Sequence, residues 1–352
     1  MIDPRAGSAD KHAIVGKVAA MSLRHPLTRR QSFVACAGSA LLLAVGFGTP
    51  AAHAEGAYPD KPVTFVNTFP PGGPSDILAR SIAASLDTAL KQRFIVENRP
   101  GAAGNIGAAY VANSRPDGYT VMFGIGTTFT VNPYIYKKMP FKPGDLKPVM
   151  ILASSGLLVG VNPKTGLKTM DELVKAAKSK NLNFSSGGNG SPGQLEISIF
   201  DEVTKSKLNH IPYKGNSPAV AAILSGEVDG GVLATPGMIP YVKDGKITAL
   251  AVTSPQRSKL APTVPTVAEA GYKDLQQDVL YVAMVPAATP DAVVQTLAHA
   301  FADAMKRPEV QKHMNLLDIQ PNGATGADAA RILKDASERY GRIIKDTGMK
   351  VE

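Results

Sequence analysis

The sequence predicts an α/β fold built on one mostly parallel sheet or on two. Short apolar runs typical of strands alternate with helical patterns from Tyr58 to the end of the chain. Short loops rich in glycine, serine or threonine follow several of these strands. The chain has 352 residues, which is enough for about two domains. Because parallel sheets bind ligands at the carboxyl ends of their strands, these loops are the first candidates for a site.

Residues 1–54 have the pattern of an export signal rather than of a folded domain. Arginines precede an apolar run over residues 33–47, which is too short to span a bilayer. Alanines on both sides of His53 are typical of a signal cleavage site. The paired arginines also resemble a twin-arginine signal, but Ser32 stands where that pattern has an apolar residue, which favours the general secretory route. We therefore predict an exported protein.

The composition excludes several classes of function. Hydrophobic residues make up 44% of the chain and charged residues 19%, which is ordinary for a soluble protein. The formal net charge is +9, but the basic residues are scattered, so we expect no binding to nucleic acid. The single cysteine, Cys36, lies in the predicted export signal. Disulfide bonds and thiolate chemistry are therefore excluded for the mature chain.

The first strand, loop and helix are the unit around which we interpret the rest. A strand is predicted over residues 63–66, and leucine or isoleucine recurs every fourth residue in a helix predicted over residues 77–91. Between them, residues 69–76 (FPPGGPSD) bring glycine backbone to the start of the helix. Unpaired N–H groups and the positive end of the helix dipole meet there, which suits an anion. The alternative is an ordinary strand-to-helix turn.

The same pattern repeats along the chain. Thr169 and Glu172 form a capping box that opens one helix, and residues 126–132 are predicted as a loop at a strand end. Further strands are predicted over residues 93–97, 120–124, 149–152, 156–162, 183–186, 210–213, 228–233, 248–253 and 279–285, and further helices over residues 169–178, 194–205, 218–224, 290–306 and 324–347.

Residues 188–193 (GNGSPG) match the glycine pattern of a dinucleotide-binding loop between a strand and a helix. Such a site also needs an acidic residue about 20 positions further on, where the second strand ends. Residues 210–215 (HIPYKG) occupy that region and contain no carboxylate. We therefore expect neither a nucleotide nor another cofactor.

The same loop nearly spells the nucleophile elbow of hydrolases, G-x-S-x-G. An exported serine hydrolase that uses Ser191, or Ser75 in the first loop, is therefore the alternative from another class of protein. Asn189 replaces the first glycine of the pattern, and Pro192 follows the serine. The residue after the nucleophile must donate a backbone N–H to the oxyanion hole, and proline has none. We therefore predict no catalytic residues and no turnover.

The remaining titratable groups also point away from catalysis. His210, His299 and His313 are the histidines of the predicted mature chain, and their spacing gives no metal-binding pattern. Asp76 is the acidic residue within a glycine loop, where a carboxylate is more often a cap or a first-turn charge than a base. The loops thus offer backbone donors and hydroxyl groups, which suits binding a carboxylate without transforming it.

Seven stretches of the chain match one family when they are read in order. They are YPDKPV from Tyr58, PPGGPSD from Pro70, VENRPGAAGNIG from Val96, PDGYT from Pro116, IPYKG from Ile211, LAVTS from Leu250 and VPTVAEAG from Val264. With these stretches the sequence resembles the substrate-binding proteins of tripartite tricarboxylate transporters, also called Bug receptors. The resemblance covers the chain from about Tyr58 to its end.

The resemblance implies a two-lobed, type II periplasmic solute-binding fold with the ligand in the cleft between two α/β lobes. It implies crossing segments near residues 156–162 and 279–285, a first lobe of residues 55–158 and 282–352, and a second of residues 159–281. Family members hold a small carboxylate through main-chain groups, ordered water and serine or threonine side chains. The implied ligand-binding residues are Phe69, Gly73, Pro74, Ser75, Asp76, Thr127 and Thr128 in the first lobe, and Ser186, Gly187, Gly190, Ser191, Gln194, Lys214, Ala234 and Thr235 in the second.

One position departs from the family pattern, because Gln194 stands where a histidine is frequent, and glutamine cannot become cationic. The residues leave open whether the ligand is citrate, a C4 dicarboxylate, an aromatic acid or an uncharged solute. The resemblance implies a monomeric receptor, not an enzyme, that delivers a small organic acid to membrane transporter subunits. A ligand-sensing partner of a membrane sensor kinase would use the same lobe closure, so this alternative stays open.

Overall fold

The computed structural model describes residues 58–350, so the predicted export signal lies outside the described residues. The strands, in chain order, are β1 (Val63–Asn67), β2 (Phe94–Asn98), β3 (Thr120–Ile125), β4 (Leu146–Ser155), β5 (Leu157–Val161), β6 (Leu182–Ser186), β7 (Leu208–Pro212), β8 (Gly230–Ala234), β9 (Thr248–Val252), β10 (Val279–Pro286) and β11 (Ile319–Thr325). The helices are α1 (Pro74–Leu90), α2 (Asn105–Ala112), α3 (Thr127–Thr130), α4 (Asn132–Ile135), α5 (Met170–Ser179), α6 (Pro192–Thr204), α7 (Asn216–Ser225), α8 (Thr235–Lys243), α9 (Asp291–Met305), α10 (Pro308–Leu316) and α11 (Gly326–Thr347).

Two sheets repeat one arrangement. The first has the order β11-β4-β10-β3-β1-β2 and the second β7-β6-β8-β5-β9. Each contains a parallel trio, with β1 between β2 and β3 in the first sheet and β6 between β7 and β8 in the second. Beside each trio lies an antiparallel strand, β10 or β5, and the strand that precedes it in the chain belongs to the other sheet. The chain therefore forms two lobes. It crosses from the first sheet to the second between β4 and β5, and it returns between β9 and β10.

The two connections between the sheets lie side by side. Ser155 ends β4 in the first sheet and Leu157 begins β5 in the second, so the chain crosses at Gly156. A Cβ atom at Gly156 would lie 2.9 Å from the backbone nitrogen of Ser254, near the start of the return segment, residues 253–278. We propose that the boundaries between the lobes lie at Gly156 and just before Val279. The sequence prediction places them slightly later, after residues 158 and 281.

Burial of apolar side chains explains why each lobe forms. Leu78, Ile82 and Leu86 of α1 are fully buried against Phe65 and other side chains of the first sheet. Burying one such side chain contributes about 1.5–3 kcal/mol. Because an apolar residue at every fourth position lies on the same face of the helix, these contributions add up to hold α1 on the sheet. In the second lobe, Phe184 is fully buried in an equivalent core.

The long helix α11 runs along both lobes. Ala329 and Leu333, in its first half, pack in the core on one face of the first sheet. Tyr340 and Ile344, in its second half, pack with the core of the second lobe. None of the helices within residues 58–350 is long and apolar enough to cross a membrane.

Two predictions of local structure are wrong. Residues 126–132, predicted as a loop, fold into α3 and α4, because helices of four residues are too short to show a helical period. The strand β11 and the helix α10 have no counterpart in the sequence prediction. Pro321 and Gly323 disfavour a central strand, but β11 lies at the edge of the sheet, where proline is tolerated.

Candidate ligand-binding site

The predicted site residues all follow the carboxyl ends of strands. On the first lobe they follow β1 and β3, which are adjacent and parallel. On the second lobe they follow β6, β7 and β8, which are also parallel neighbours. The loops of each lobe therefore gather at one edge of its sheet, as expected for a ligand site of an α/β fold.

The two lobes meet at Gly190. A Cβ atom there would lie 2.9 Å from the Cβ of Ala103 and 3.3 Å from Oδ1 of Asn132, both of which belong to the first lobe. Gly190 also has a φ of +77°, a conformation that favours glycine. In the described structure the backbone of Gly190 thus packs against side chains of the first lobe, and we call this arrangement the closed form. The sequence prediction did not include Ala103 or Asn132, because nothing local in the sequence shows which residues face each other across the cleft.

Buried polar atoms without a partner lie beside this contact. Nδ2 of Asn105, Oδ1 of Asn132 and the hydroxyl of Thr68 are buried and have no hydrogen-bond partner within residues 58–350. Asn132 reaches the carbonyl of Ala103 and Oδ1 of Asn105 with its own Nδ2, at 3.0 and 2.8 Å. These orphan atoms of the first lobe are available to a bound molecule or to water.

A charged network fixes the loop ahead of α1. Oδ2 of Asp76 accepts the Gly72 N–H at 2.9 Å and Nε of Arg80 at 3.1 Å, and Oδ1 accepts Nδ2 of Asn98 at 2.8 Å. Burial raises the pKa of Asp76, but the hydrogen bonds from Arg80, Gly72 and Asn98 outweigh it and hold that pKa below its ordinary value. Since both oxygens are occupied, Asp76 shapes the loop, with no oxygen left free for the cleft.

Phe69 and Pro74 complete this loop. The carbonyl of Phe69 accepts amide hydrogens from Asn67 and Asn98 at 3.1 and 3.2 Å, which ties the loop to the ends of β1 and β2. Gly73 is the N-cap of α1 and Pro74 its first residue. Proline costs nothing there because the first N–H of a helix has no partner in any case, whereas the N–H groups of Ser75 and Asp76 remain unused within the described residues.

Two of the three hydroxyl groups predicted for the site on the first lobe already donate to the protein. Ser75 donates to Oδ1 of Asn67 at 2.5 Å, and Thr128 donates to the carbonyl of Ala103 at 2.9 Å. Thr127 is buried, and its hydroxyl has no hydrogen-bond partner in the described part of the chain. A hydroxyl has one hydrogen to give, so of these three only Thr127 can donate to an anion without breaking a bond.

Neutral groups fix the loop ahead of α6. The Ser191 hydroxyl caps the helix by accepting the Gln194 N–H at 3.3 Å, and it donates to the Ser186 hydroxyl at 3.2 Å. Ser186 also accepts the Gly188 N–H at 3.1 Å. Gln194 is buried and accepts the Gly190 N–H on Oε1 at 2.7 Å. A backbone N–H can only donate, so this contact determines which end of the amide is oxygen and leaves Nε2 of Gln194 with its two hydrogens.

His210 belongs to this network, although the sequence prediction treats it as a packed or surface histidine. Its Nε2 lies 2.6 Å from the Ser186 hydroxyl. Burial lowers the pKa of His210 to about 4, so the ring is neutral at pH 7. Ser186 accepts two hydrogens and therefore donates its own to Nε2 of His210 or to the Gly188 carbonyl. The parallel pairing of β6 with β7 brings the two residues together, which spacing in sequence does not reveal.

The remaining predicted residues differ in how available they are. Lys214 is exposed and forms no ion pair within the described residues. The N–H of Ala234 donates to Oδ1 of Asn216 at 2.9 Å, so it is already used. Thr235 is buried and donates weakly, at 3.4 Å, to the carbonyl of the crossing residue Gly156. Gly187 accepts the Gly215 N–H through its carbonyl at 3.2 Å, which joins two loops of the second lobe.

The arrangement supplies backbone donors rather than cations or catalytic groups. Arg80 is paired with Asp76, and Arg99 is paired with Glu97 at 2.6 Å, so neither is a free charge. Ser191 precedes Pro192, which has no N–H for an oxyanion. Residues 58–350 contain no cluster of three or more side chains that could hold a metal ion. What faces the cleft is therefore suited to hold the oxygens of an anion at the helix starts.

Comparison with known proteins agrees with this chemistry. A family model described as "Tripartite tricarboxylate transporter family receptor" matches residues 78–349. Protein BugT of Bordetella pertussis is 30% identical over 309 residues, which cover 87% of this chain and 95% of BugT.

Two solved structures with bound organic acids are also similar. A structure titled "R. palustris Rpa4515 with adipate" shares 29% identity and a TM-score of 0.76, covering 83% of this chain and 99% of that one. MatC from Rhodopseudomonas palustris with bound malate shares 26% identity and a TM-score of 0.72, covering 82% and 100%. The two-lobed binding-protein fold predicted from the sequence is thereby confirmed.

Proposed function

We propose, from the premise that this chain belongs to the tripartite tricarboxylate transporter family of receptors, that it binds a small organic carboxylate between its lobes and delivers it to membrane transporter subunits. The family model that matches this chain is described as a receptor, and the chain is accordingly a solute receptor and not an enzyme. The ligand class and the transporter partner are our proposal.

The state of the polar groups around the cleft supports a carboxylate. The N–H groups of Ser75 and Asp76 at the start of α1, and that of Gly193 in the first turn of α6, are unused within the described residues. Most hydroxyl hydrogens are already given to the protein. A carboxylate has only acceptors, so it matches a site that offers unused donors at two helix starts. The adipate and malate bound by the two similar structures are consistent with this class.

Gln194 supports a ligand with a second polar end. Its Oε1 is held by the Gly190 N–H, so Nε2 is the end that presents hydrogens. An amide donor is neutral at every pH, whereas a histidine in its place would change charge near pH 6.5. We expect the contact of Gln194 with the ligand to be independent of pH between about 5 and 8, and we expect it to favour a dicarboxylate over a monocarboxylate.

The experiment is a comparison of a carboxylate with its own amide. A thermal-shift screen of mono-, di- and tricarboxylates identifies the ligand, since binding at about 100 times Kd stabilises the protein by roughly 2.7 kcal/mol. Calorimetry then compares that acid with its neutral amide, in which every carboxylate is replaced by an amide. The amide places N–H groups against N–H groups, so we expect a loss of about 2–5 kcal/mol in binding free energy. Equal affinity for acid and amide would contradict the proposal.

Localisation and assembly are proposed on the sequence and on the family. We infer that the export signal of residues 1–54 directs the chain to the periplasm, where it acts as a monomer. Mass spectrometry of the periplasmic fraction is expected to find Glu55 as the first residue, and gel filtration is expected to give a monomer. Retention of the signal in the cytoplasmic fraction would contradict the proposed location.

A further inference from the structure

A buried carboxyl group lies where the second lobe meets α11. Glu196, in the first turns of α6, is 1% exposed, and its Oε2 has no hydrogen-bond partner within residues 58–350. An unpaired buried carboxylate costs several kcal/mol, so such a group takes up a proton instead. Burial raises the pKa of Glu196 well above its ordinary value, and the Arg339 guanidinium offsets only part of that effect. Burial without a hydrogen-bond partner for Oε2 therefore favours the protonated form of Glu196 in the closed form.

The surroundings of Glu196 offer it little compensation. Arg339, on α11, donates to the carbonyls of Gln276 and Asp274 at 3.0 and 2.8 Å, so two of its five N–H groups are used by the return segment. Burial raises the pKa of Asp278 to about 6 and that of Tyr340 to about 12, so these neighbours are also hard to ionise.

The other elements against α6 add few titratable groups. The strands β6, β7 and β8 contribute one titratable side chain, His210, which is neutral and bonded to Ser186. In the return segment, Lys273 and Asp274 are exposed. The amide of Gln277, in the same segment, is buried without partners. Of the groups named here, the Arg339 guanidinium and the Asp278 carboxyl are those that bring charge to the joint between α6, α11 and the return segment.

Opening of the cleft would separate this joint. The helix α6 belongs to the second lobe, whereas α11 is attached to the first lobe along much of its length. Leu333 packs in a first-lobe core, the Tyr134 hydroxyl lies 3.1 Å from that of Ser337, and the ring of Tyr134 packs directly against Gly341. A hinge at Gly156 and in the return segment would carry α6 away from α11 and admit water to Glu196.

We propose that closure of the lobes takes up a proton at Glu196, so that a rise in pH favours the open form. In the open form, water reaches Glu196 and its carboxyl has an ordinary pKa. At a pH above that pKa, the open form has lost the proton, so closing of the lobes requires Glu196 to bind it again. Each pH unit between the two pKa values therefore shifts the closing equilibrium by up to tenfold. This inference does not depend on which ligand is bound.

The test measures the distance between the lobes without ligand. The predicted mature chain has no cysteine, so cysteines placed at the exposed positions Ala89 in the first lobe and Lys178 in the second carry spin labels without side reactions. Distance distributions are recorded from pH 5 to pH 8 for the otherwise unchanged chain and for Glu196→Gln. The matched control is Glu202→Gln, since Glu202 lies on the same helix and pairs with Lys205 at 2.6 Å near the surface.

As the pH rises, we expect the open population to grow in the unchanged chain. We expect the same growth in the control, Glu202→Gln. Glu196→Gln is expected to stay closed at pH 8 and to lose the response. A response that survives in Glu196→Gln, or an unchanged chain that does not respond between pH 5 and 8, overturns the proposal. If Glu196→Gln does not fold, the Glu196 carboxyl is titrated by NMR in the unchanged protein, and an ordinary glutamate titration overturns the proposal.

Discussion

The loops ahead of α1 and α6 occupy equivalent places in the two lobes but hold their shapes by different chemistry. The first is fixed by a carboxylate, Asp76, with Arg80 and Asn98. The second is fixed by hydroxyls, an amide and the neutral ring of His210. In both, side chains that appear suited to a ligand are used to hold the loop. On our proposal, backbone N–H groups are the main donors left for the ligand, beside the amide of Gln194 and the Thr127 hydroxyl. The proposed site then depends strongly on the rigidity of the two loops.

The largest difference between the loops is expected at their glycines. Gly72 and Gly190 have φ angles of +79° and +77°, but a Cβ at Gly72 meets nothing within 4 Å, whereas one at Gly190 meets Ala103 across the cleft. Alanine at either position costs about 1 kcal/mol of stability through the left-handed backbone. Gly190→Ala also overfills the lobe contact, which costs about 1–3 kcal/mol more in the closed form.

Calorimetry with the acid found by the screen, together with urea unfolding, separates the two effects. Both variants are expected to lose similar stability, and Gly190→Ala alone is expected to lose ligand affinity, by about tenfold or more. Equal ligand affinity of Gly72→Ala and Gly190→Ala would show that the lobe contact seen here does not form in the bound state.

The charged loop is expected to be sensitive to acid. Asp76→Asn leaves Arg80 and other donors without a carboxylate, and we expect a loss of about 2 kcal/mol in the free energy of unfolding at pH 7. Breaking a fully buried ion pair costs about 3–5 kcal/mol of stability. We expect a smaller loss here because the Arg80 side chain is 53% exposed and its charge is partly screened by water. The folded pKa of Asp76 is lowered, so its stabilisation is present above the ordinary aspartate pKa of about 3.9 and is lost as the pH falls through the folded value.

Urea unfolding between pH 7 and pH 3 tests this expectation. The difference between the unchanged chain and Asp76→Asn should shrink as the pH falls. Asp303→Asn is the control, since Asp303 forms an exposed pair with Lys306 and should change stability by less than about 0.5 kcal/mol. A difference that stays constant down to pH 3 would assign the effect of Asp76 to packing rather than to charge.

The contrast between the loops also shows how far sequence reasoning reaches. The strand, the glycines and the helix of each loop follow from local patterns, and so does the expectation of helix starts aimed at a ligand. Local patterns do not predict the acceptor of each hydroxyl hydrogen, because the partners of Ser75 and Ser186 depend on which strands lie side by side. The same limit explains why β11 was not predicted, since only its place at the sheet edge makes Pro321 acceptable.

The neutral loop is expected to respond to pH in its own range. The pKa of His210 is about 4 in the folded chain and about 6.5 when unfolded, so the unfolded state binds more protons and stability is lost as the pH falls between these values. In His210→Gln an amide oxygen can accept the Ser186 hydroxyl, and we expect a loss of about 1 kcal/mol at pH 7. Below pH 6.5 the variant should lose stability more slowly than the unchanged chain.

The measurement is the free energy of unfolding at pH 7, 6, 5 and 4. His299→Gln is the matched control, because His299 is exposed on α9 and has no hydrogen bond within the described residues. Its curve should parallel that of the unchanged chain. Parallel curves for His210→Gln as well would mean that the folded protein accommodates a protonated His210, and would contradict the lowered pKa of this ring.

The smallest effect is expected at Lys214, the one cation placed in a predicted ligand loop. It is exposed and unpaired within the described residues, so its charge is solvated and acts on an anion only at a distance. Lys214→Ala should cost less than about 0.5–1 kcal/mol of binding free energy, well below the effect of the amide ligand. Since charges separated by more than about 10 Å are screened at 0.1 M salt, the loss should disappear as salt is raised. Calorimetry at low and high salt decides this. A loss above 1 kcal/mol that persists in high salt would place the Lys214 ammonium in direct contact with the carboxylate, and backbone groups would then not be the main anion-binding element.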